Sequence, residues 1–178
     1  KNLIVTLGAP HRVTVKLLES GRERLKSVVS LPESGKNIGV VIGGDDQNYG
    51  ISVKYAQKLL PALQTLGGGY NFLFTTSRRT DKTTVLFLMK NLEKNLKNVV
   101  YSEFPGHSQT SHYPGMLALC DLILVTEDSI NMISEAAASG RPVIIMGVER
   151  KRPGKKLVFD FTLEKFTEKG YAEYLPAD

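Results

Sequence analysis

Short runs rich in Val, Ile, Leu and Phe alternate along this chain with stretches whose apolar residues recur every three or four positions. The short runs at 3–7, 38–42, 72–76, 99–102, 122–126 and 143–146 have the length and β-branched or aromatic content of strands. Helical periodicity is clear at 53–66 and recurs at 84–96. A further helix is predicted over 129–139, with Ser129 or Asp128 as its N-cap and Gly140 as its stop. Residues 157–169, rich in Phe, Lys and Glu, predict one or two helices. Strand followed by helix, repeated, predicts an α/β fold with a Rossmann-like parallel sheet and helices on both faces. A cluster of Pro, Ser and Gly at "SLPESGKN", residues 30–37, marks a seam. Residues 1–36 therefore read as the end of a preceding domain or a linker segment, and residues 37–178 as the domain proper.

Composition narrows the class. The chain has 178 residues, 42% of them hydrophobic, which is enough for one domain with its own core. Its apolar runs stop well short of the ~18 residues a membrane helix needs, so no transmembrane segment is expected. It begins at Lys1 with no signal-peptide pattern, which suggests a piece of something longer. A single cysteine, Cys120, cannot form an internal disulfide and suits a reducing compartment, so the expected location is cytoplasmic, with an organelle or inner-membrane surface left open. Cys120 lies inside the apolar stretch 116–123 and is expected to be a buried, inert thiol. The net charge of +5 favours anionic partners. The excess is concentrated at Arg78 and Arg79 and in "RKRPGKK", residues 150–156. No aromatic residues are interleaved with these, which argues against nucleic acid as the partner. Peripheral membrane contact stays open.

In open parallel sheets, ligands sit where strands end at their carboxyl side, so the turns there are the informative residues. After 38–42 comes "IGGDDQNYG". Gly43 and Gly44 allow either close approach of backbone to a ligand or only a tight connection. After 72–76 comes "TTSRRT", in which hydroxyls, Ser77 among them, flank Arg78 and Arg79. Guanidinium forks match phosphate oxygens, so this turn is a candidate anion site, and a solvated loop is the alternative. After 122–126, which ends at Thr126, comes Glu127-Asp128-Ser129 at the start of the helix. The free N–H groups and positive dipole end of such a helix form a phosphate seat. Glu135 stands nearly two turns along that helix among small apolar residues, where a carboxylate could accept hydrogen bonds from a ribose diol.

The long stretch 102–115 carries His107 and His112. Two histidines without a cysteine partner make an incomplete metal set, so no metal site is expected, and a ligand-lining loop or a pair of satisfied surface histidines is the better reading. "GAPHRVT", residues 8–14, brings His11 and Arg12 to the end of the strand predicted at 3–7. That makes His11 the one candidate for catalysis, and a weak one.

"TLGAPHRVT", "VVIGG", "TTSRRT" and "LVTEDSINMISEAAASGRPV", in this order over nearly the whole chain, resemble the elongated-mitochondria fission-factor family, whose bacterial members are regarded as glycosyltransferases or nucleoside-diphosphate-sugar enzymes. The turns are also similar to those in the second domain of GT-B glycosyltransferases. The resemblance implies the nucleotide-sugar-binding half of a GT-B-type fold. In it, Ser129 and adjacent amides would meet the diphosphate, Glu135 the ribose hydroxyls, and Gly43, Gly44, Ser77 and Arg78 the phosphate side, with Arg78 or Arg79 neutralising the departing diphosphate. Thr126 and Asp128 belong to the same constellation. It further implies that no cofactor or metal is required, that the donor substrate is a nucleoside diphosphate sugar, and that the acceptor is unknown. The acceptor-binding half that usually supplies the catalytic base is missing, except for what residues 1–30 contribute. Two other readings remain. One is a protein-recruiting adaptor in mitochondrial or organelle fission on a degenerate glycosyltransferase scaffold, with a protein as partner. The other is a sugar-nucleotide epimerase.

Overall fold

The computed structural model describes residues 2–107, 110–152, 154 and 156–177. Its strands are β1 (Lys36–Ile42), β2 (Tyr70–Thr76), β3 (Val99–Glu103), β4 (Leu122–Thr126), β5 (Val143–Met146) and β6 (Glu173–Leu175). Its helices are α1 (Val15–Lys26), α2 (Val53–Gln64), α3 (Lys82–Asn95), α4 (Tyr113–Leu119), α5 (Ile130–Ala138) and α6 (Val158–Glu168). The strands form one six-stranded sheet in the order β3-β2-β1-β4-β5-β6, parallel throughout. Helices cover both faces, as the alternation predicts.

Side chains leave a strand alternately to its two faces, and here each face has its own core. Ile38, Val40 and Ile42 of β1 pack with Leu59, Leu60 and Leu63 of α2 and with Val85, Leu88 and Leu92 of α3. Val41 of β1 points the other way, with Ile123 and Val125 of β4, and packs with Met116 and Leu117 of α4, Ile133 of α5 and Phe166 of α6. Double coverage is why these strands read as continuous apolar runs rather than as alternating ones. Strand order reverses between β1 and β4. The chain passes to one side of β1 through β2 and β3 and to the other side of β4 through β5 and β6, which opens a crevice at their carboxyl ends.

Helix starts follow from their caps. Asp81 accepts the Thr83 N–H at 2.8 Å, so α3 begins at Lys82, two residues before the periodic pattern does. Gly140 takes φ +73° just beyond α5 and stops it where the sequence indicated.

Residues 3–7 do not form the predicted strand. They join no ladder, and Leu3, Ile4 and Val5 are 81%, 88% and 83% exposed. An apolar run becomes a strand only where a neighbour offers unpaired backbone groups, and this one meets none. The next residues lean on α5 instead: Gly8 packs against the Ser134 side chain, and the Ala9 N–H donates to Ser134 Oγ at 2.9 Å. His11 and Arg12 therefore lie in the loop before α1 and not at a strand end.

The sequence reading also missed α1, α4 and β6. In α1, "VKLLESGRERLK", only Gly21 and Leu25 are buried, so it has almost no apolar stripe. What holds it is backbone contact with α4: a Cβ on Gly21 would lie 2.7 Å from the Gly115 nitrogen, and one on Gly115 would lie 2.3 Å from the Gly21 oxygen. Within 1–36, then, a helix reaches into the second core through Leu25, which is 0% exposed. No helix among the described residues is long and apolar enough to cross a membrane.

The crossing decides the sign of a substitution. Glycine to alanine inside a helix ordinarily stabilises by about 0.5–1 kcal/mol. Gly115→Ala is expected instead to destabilise by about 1–3 kcal/mol, because the new methyl meets a carbonyl oxygen that belongs to a packed helix. Urea denaturation followed by circular dichroism measures this; a midpoint that rises would show that the two helices do not touch as described.

Candidate functional site

At the carboxyl ends of the strands, the turn after β1 is locked from below. The Gly43 N–H donates to Thr126 Oγ1 at 2.7 Å, the Gly44 N–H to Asp128 Oδ2 at 2.8 Å, and the Thr126 hydroxyl to Asp128 Oδ1 at 2.6 Å. A Cβ on Gly43 would fall 2.0 Å from Asp128 Oδ2, and one on Gly44 would fall 2.4 Å from the Arg79 carbonyl carbon. The paired glycines are thus explained by internal packing. Thr80 donates to the Gly43 carbonyl, which ties the turn after β2 to the same knot. Asp128 has no exposed side-chain surface, and Arg79 reaches it at 3.8 Å.

On this floor lies a cleft of about 730 Å³. Ser77, Arg78, Arg79, Ser129 and Glu135, picked out in the sequence, all line it. Gly43, Gly44, Thr126 and Asp128 lie beneath as its support and are not part of its wall. Ser129 is the N-cap residue of α5, yet its hydroxyl does not close on the helix's own N–H groups. Both the hydroxyl and the first-turn amides therefore remain for an occupant of the cleft. Arg78 is exposed and has no carboxylate within ion-pair distance among the described residues. The guanidinium best placed to meet an outside anion is therefore Arg78, since Arg79 already faces Asp128.

Two buried hydroxyls in the wall lack partners among the described residues. Thr76 Oγ1, at the end of β2, has no hydrogen bond although the residue is only 3% exposed. The Tyr113 hydroxyl, at the start of α4, is also without one. Burying a polar group unpaired costs about 1–3 kcal/mol, and both of these oxygens lie shielded behind the surface of the wall. Burial raises the pKa of the half-buried Glu135. The charge of His11 and the nearby Tyr113 hydroxyl oppose that rise, although no well-formed hydrogen bond joins Tyr113 to Glu135. The anchoring of Gly8 and Ala9 on Ser134 brings His11 near enough for its charge to act on Glu135, but the exposed His11 is not among the residues that line the cleft.

The wall opposite α5 comes from residues that sequence reasoning passed over. Glu103, at the end of β3, is 3% exposed and lines the cleft with Pro105, Gly106, Thr110 and Ser111. Its Oε2 accepts the Tyr101 hydroxyl at 2.8 Å and the His112 backbone N–H at 2.7 Å. His112 Nδ1 sits 3.1 Å from the Tyr101 oxygen, so this histidine is a satisfied structural group rather than a ligand. No group of three or more His, Cys, Asp or Glu able to hold a metal occurs among the described residues. Ser108 and Gln109 of this loop lie outside those residues. The one available signal was "YSE", which sets Tyr101 and Glu103 on the same face of a strand.

Elsewhere, Cys120 is buried, and burial pushes its thiol up to about 12, so it is not a nucleophile. In the basic stretch after β5, Arg150 is committed to Asp160, Nη1 to Oδ2 at 3.1 Å, and to the buried Glu127, while Lys151 meets Asp45 at 2.9 Å. Pro153 and Lys155 of that stretch lie outside the described residues.

Asp128 provides a pH test. Loss of solvation pushes its pKa up to about 6, against the pull of Thr126, the Gly44 amide and Arg79. The folded protein then holds this proton more tightly than the unfolded chain, whose value is about 3.9. The resulting stabilisation is complete below pH ~4 and is lost as the pH rises through about 6, in all about 2–3 kcal/mol. Carboxyl-carbon NMR is expected to give a midpoint near 6 that moves upward in Arg79→Gln, and Asp128→Asn is expected to flatten the stability profile between pH 4 and 6. A midpoint at or below 4 would contradict this.

Comparison with known proteins places the chain in a lineage. It is 27% identical over 140 residues to an uncharacterized protein of Rickettsia prowazekii (strain Madrid E), covering 78% of this chain and 38% of that one. It is 25% identical over 151 residues to the Mitochondrial fission protein ELM1 of Arabidopsis thaliana, covering 83% and 34%. The chain thus spans little more than a third of the length of the curated relatives it matches. Similar solved structures include Anabaena Alr3699/HepE in complex with UDP-glucose, with a TM-score of 0.46, 16% identity and coverage of 89% of this chain and 46% of that one. Another is the FMN-dependent UbiX-like decarboxylase of Escherichia coli O157:H7, with a TM-score of 0.48, 12% identity and coverage of 79% of both chains. The Mitochondrial fission ELM1 family matches across residues 1–177, and this chain belongs to it.

Proposed function

We propose that this chain is the nucleotide-sugar-binding domain of a GT-B-like glycosyltransferase, with the diphosphate held at the N-terminus of α5. The observation that carries the reading is the cleft itself, in which an uncapped helix start at Ser129, the exposed Arg78, without an ion-pair partner among the described residues, and the half-buried Glu135 line one space. In this reading, the α5 amides and Ser129 take one phosphate, Arg78 and Ser77 take the other, and Glu135 accepts the ribose hydroxyls. Arg79 acts at one remove, by holding Asp128 and the glycine turn in place. Fixed amides and guanidinium groups stabilise a departing diphosphate, so this chemistry asks for no metal. His11, beside Glu135, is the candidate base. The acceptor and the remainder of the catalytic machinery belong to parts of the protein beyond this chain, at a cytoplasmic site that includes organelle or inner-membrane surfaces.

A second reading is an adaptor in organelle fission, in which the scaffold recruits a protein. Membership in a family named for mitochondrial fission favours it, and so does the exposed apolar pair Val158 and Phe161 on α6, 87% and 63% accessible.

A thermal-shift panel of nucleoside diphosphates and their sugar conjugates separates the two. At about a hundredfold excess over Kd, a ligand adds ~2.7 kcal/mol, which raises the midpoint by roughly 5–10 °C in a domain of this size. Glu135→Ala and Arg78→Ala are each expected to abolish that rise while leaving the unliganded midpoint nearly unchanged. If no nucleotide raises the midpoint and a partner protein binds both variants as it binds the wild type, the adaptor reading replaces this one.

A further inference from the structure

Among the described residues, Glu103 is a carboxylate whose hydrogen bonds all fall on one oxygen. Both of its described donors, the Tyr101 hydroxyl and the His112 amide, meet Oε2. Oε1 receives none among the described residues, although the residue is 3% exposed and lines the cleft. A carboxylate oxygen on the wall of the cleft, in a side chain anchored through its other oxygen, can accept a donor from whatever fills the space. The bonds to Oε2 come from a strand side chain and a helix-start amide, so the carboxylate is held rather than free to turn away.

Its place relative to α5 gives the chemistry. In the sheet, β3 lies three strand positions from β4, about 14 Å at ~4.8 Å per strand. That is close to the reach of a nucleotide laid from a diphosphate on α5 to the far edge of its base. We infer that Glu103 sets base preference in this cleft, selecting nucleotides whose base presents an exocyclic amino group over those that present a carbonyl at that edge. The inference rests on the nucleotide-binding reading of the cleft. One free oxygen accepts one N–H, so an amino group, as on cytosine or adenine, is matched. The carbonyls that flank the N–H of uracil would bring lone pairs against that acceptor oxygen. Pro105 and Gly106 continue the same wall and leave room for a flat ring beside it.

Glutamine at this position reverses the logic. Its carboxamide oxygen would stay on the Tyr101 and His112 donors, which fixes the amide nitrogen toward the cleft. An acceptor aimed at the ligand becomes a donor aimed at it.

The test is titration calorimetry of CDP and UDP, which differ at this base edge and carry no sugar, against the intact protein, Glu103→Gln and Glu103→Ala. The wild type is expected to bind CDP at least about tenfold more tightly than UDP. Glu103→Gln is expected to invert the order, and Glu103→Ala to bring the two within about threefold. A CDP-to-UDP ratio unchanged in both variants, with unfolding midpoints near the wild-type value, would overturn the assignment of Glu103 and leave the nucleotide reading standing. If neither CDP nor UDP, nor ADP titrated alongside them, binds any of the three proteins while all remain folded, the nucleotide reading fails and this inference fails with it.

Discussion

The architecture of the site depends on one buried carboxylate seated against a pair of glycines. Asp128 occupies the space where a side chain on Gly43 would be, takes the Gly44 amide and the Thr126 hydroxyl, and faces Arg79 from below the cleft. Through these contacts the ends of β1, β2 and β4 are fixed to one another. A carboxylate without solvent is costly, and the raised pKa of Asp128 shows that its hydrogen bonds only partly offset the loss. Such a group is tolerated because it sets a shape. It holds the turn after β2 so that Arg78 projects outward, and it holds Ser129 at the head of α5 with the helix amides uncovered.

From that floor the site is assembled by topology. The order β3-β2-β1-β4 places the turn after β4 and the turn after β3 at opposite ends of one cleft, with the arginine turn between them. Each wall supplies a different kind of group. The α5 side offers donors to an anion and the Glu135 carboxylate, the middle offers guanidinium and hydroxyl groups, and the β3 side offers the carboxylate of Glu103. An elongated ligand with a charged centre and two polar ends is the kind of molecule such a sequence of groups suits.

Much of this was legible in the chain, and what was not has identifiable physical reasons. Strands buried on both faces announce themselves as unbroken apolar runs, so β1, β2, β4 and β5 were readable to within a residue or two. The same signal misled at 3–7, because hydropathy reports what a segment could bury and not whether a neighbouring strand is available to pair with it. Helix α1 was invisible for the opposite reason: it is held by the close approach of Gly21 to Gly115, a contact between backbones that leaves no apolar stripe. Within the site, Arg78, Arg79, Ser129 and Glu135 were recognisable because they follow strands directly or stand alone on an apolar helix. Gly43 and Gly44 were noticed as places of close approach, but what comes close is the Asp128 side chain at Gly43 and the Arg79 backbone at Gly44. Glu103 was missed because one carboxylate at a strand end before a polar loop has no pattern; only the folded chain brings Tyr101 and His112 to the same oxygen on the wall of the cleft.

Whether an anion occupies the head of α5 decides what this cleft is for. The most direct measurement is an amide NMR titration with a nucleoside diphosphate, following the backbone N–H signals of Ser129, Ile130 and Asn131. If the diphosphate sits where the uncapped helix start and Arg78 point, those amides shift downfield together and saturate with one affinity, and the Arg78→Ala protein shows no such shifts at the concentrations that saturate the wild type. Saturable binding that moves signals elsewhere while these three stay in place would contradict the central claim.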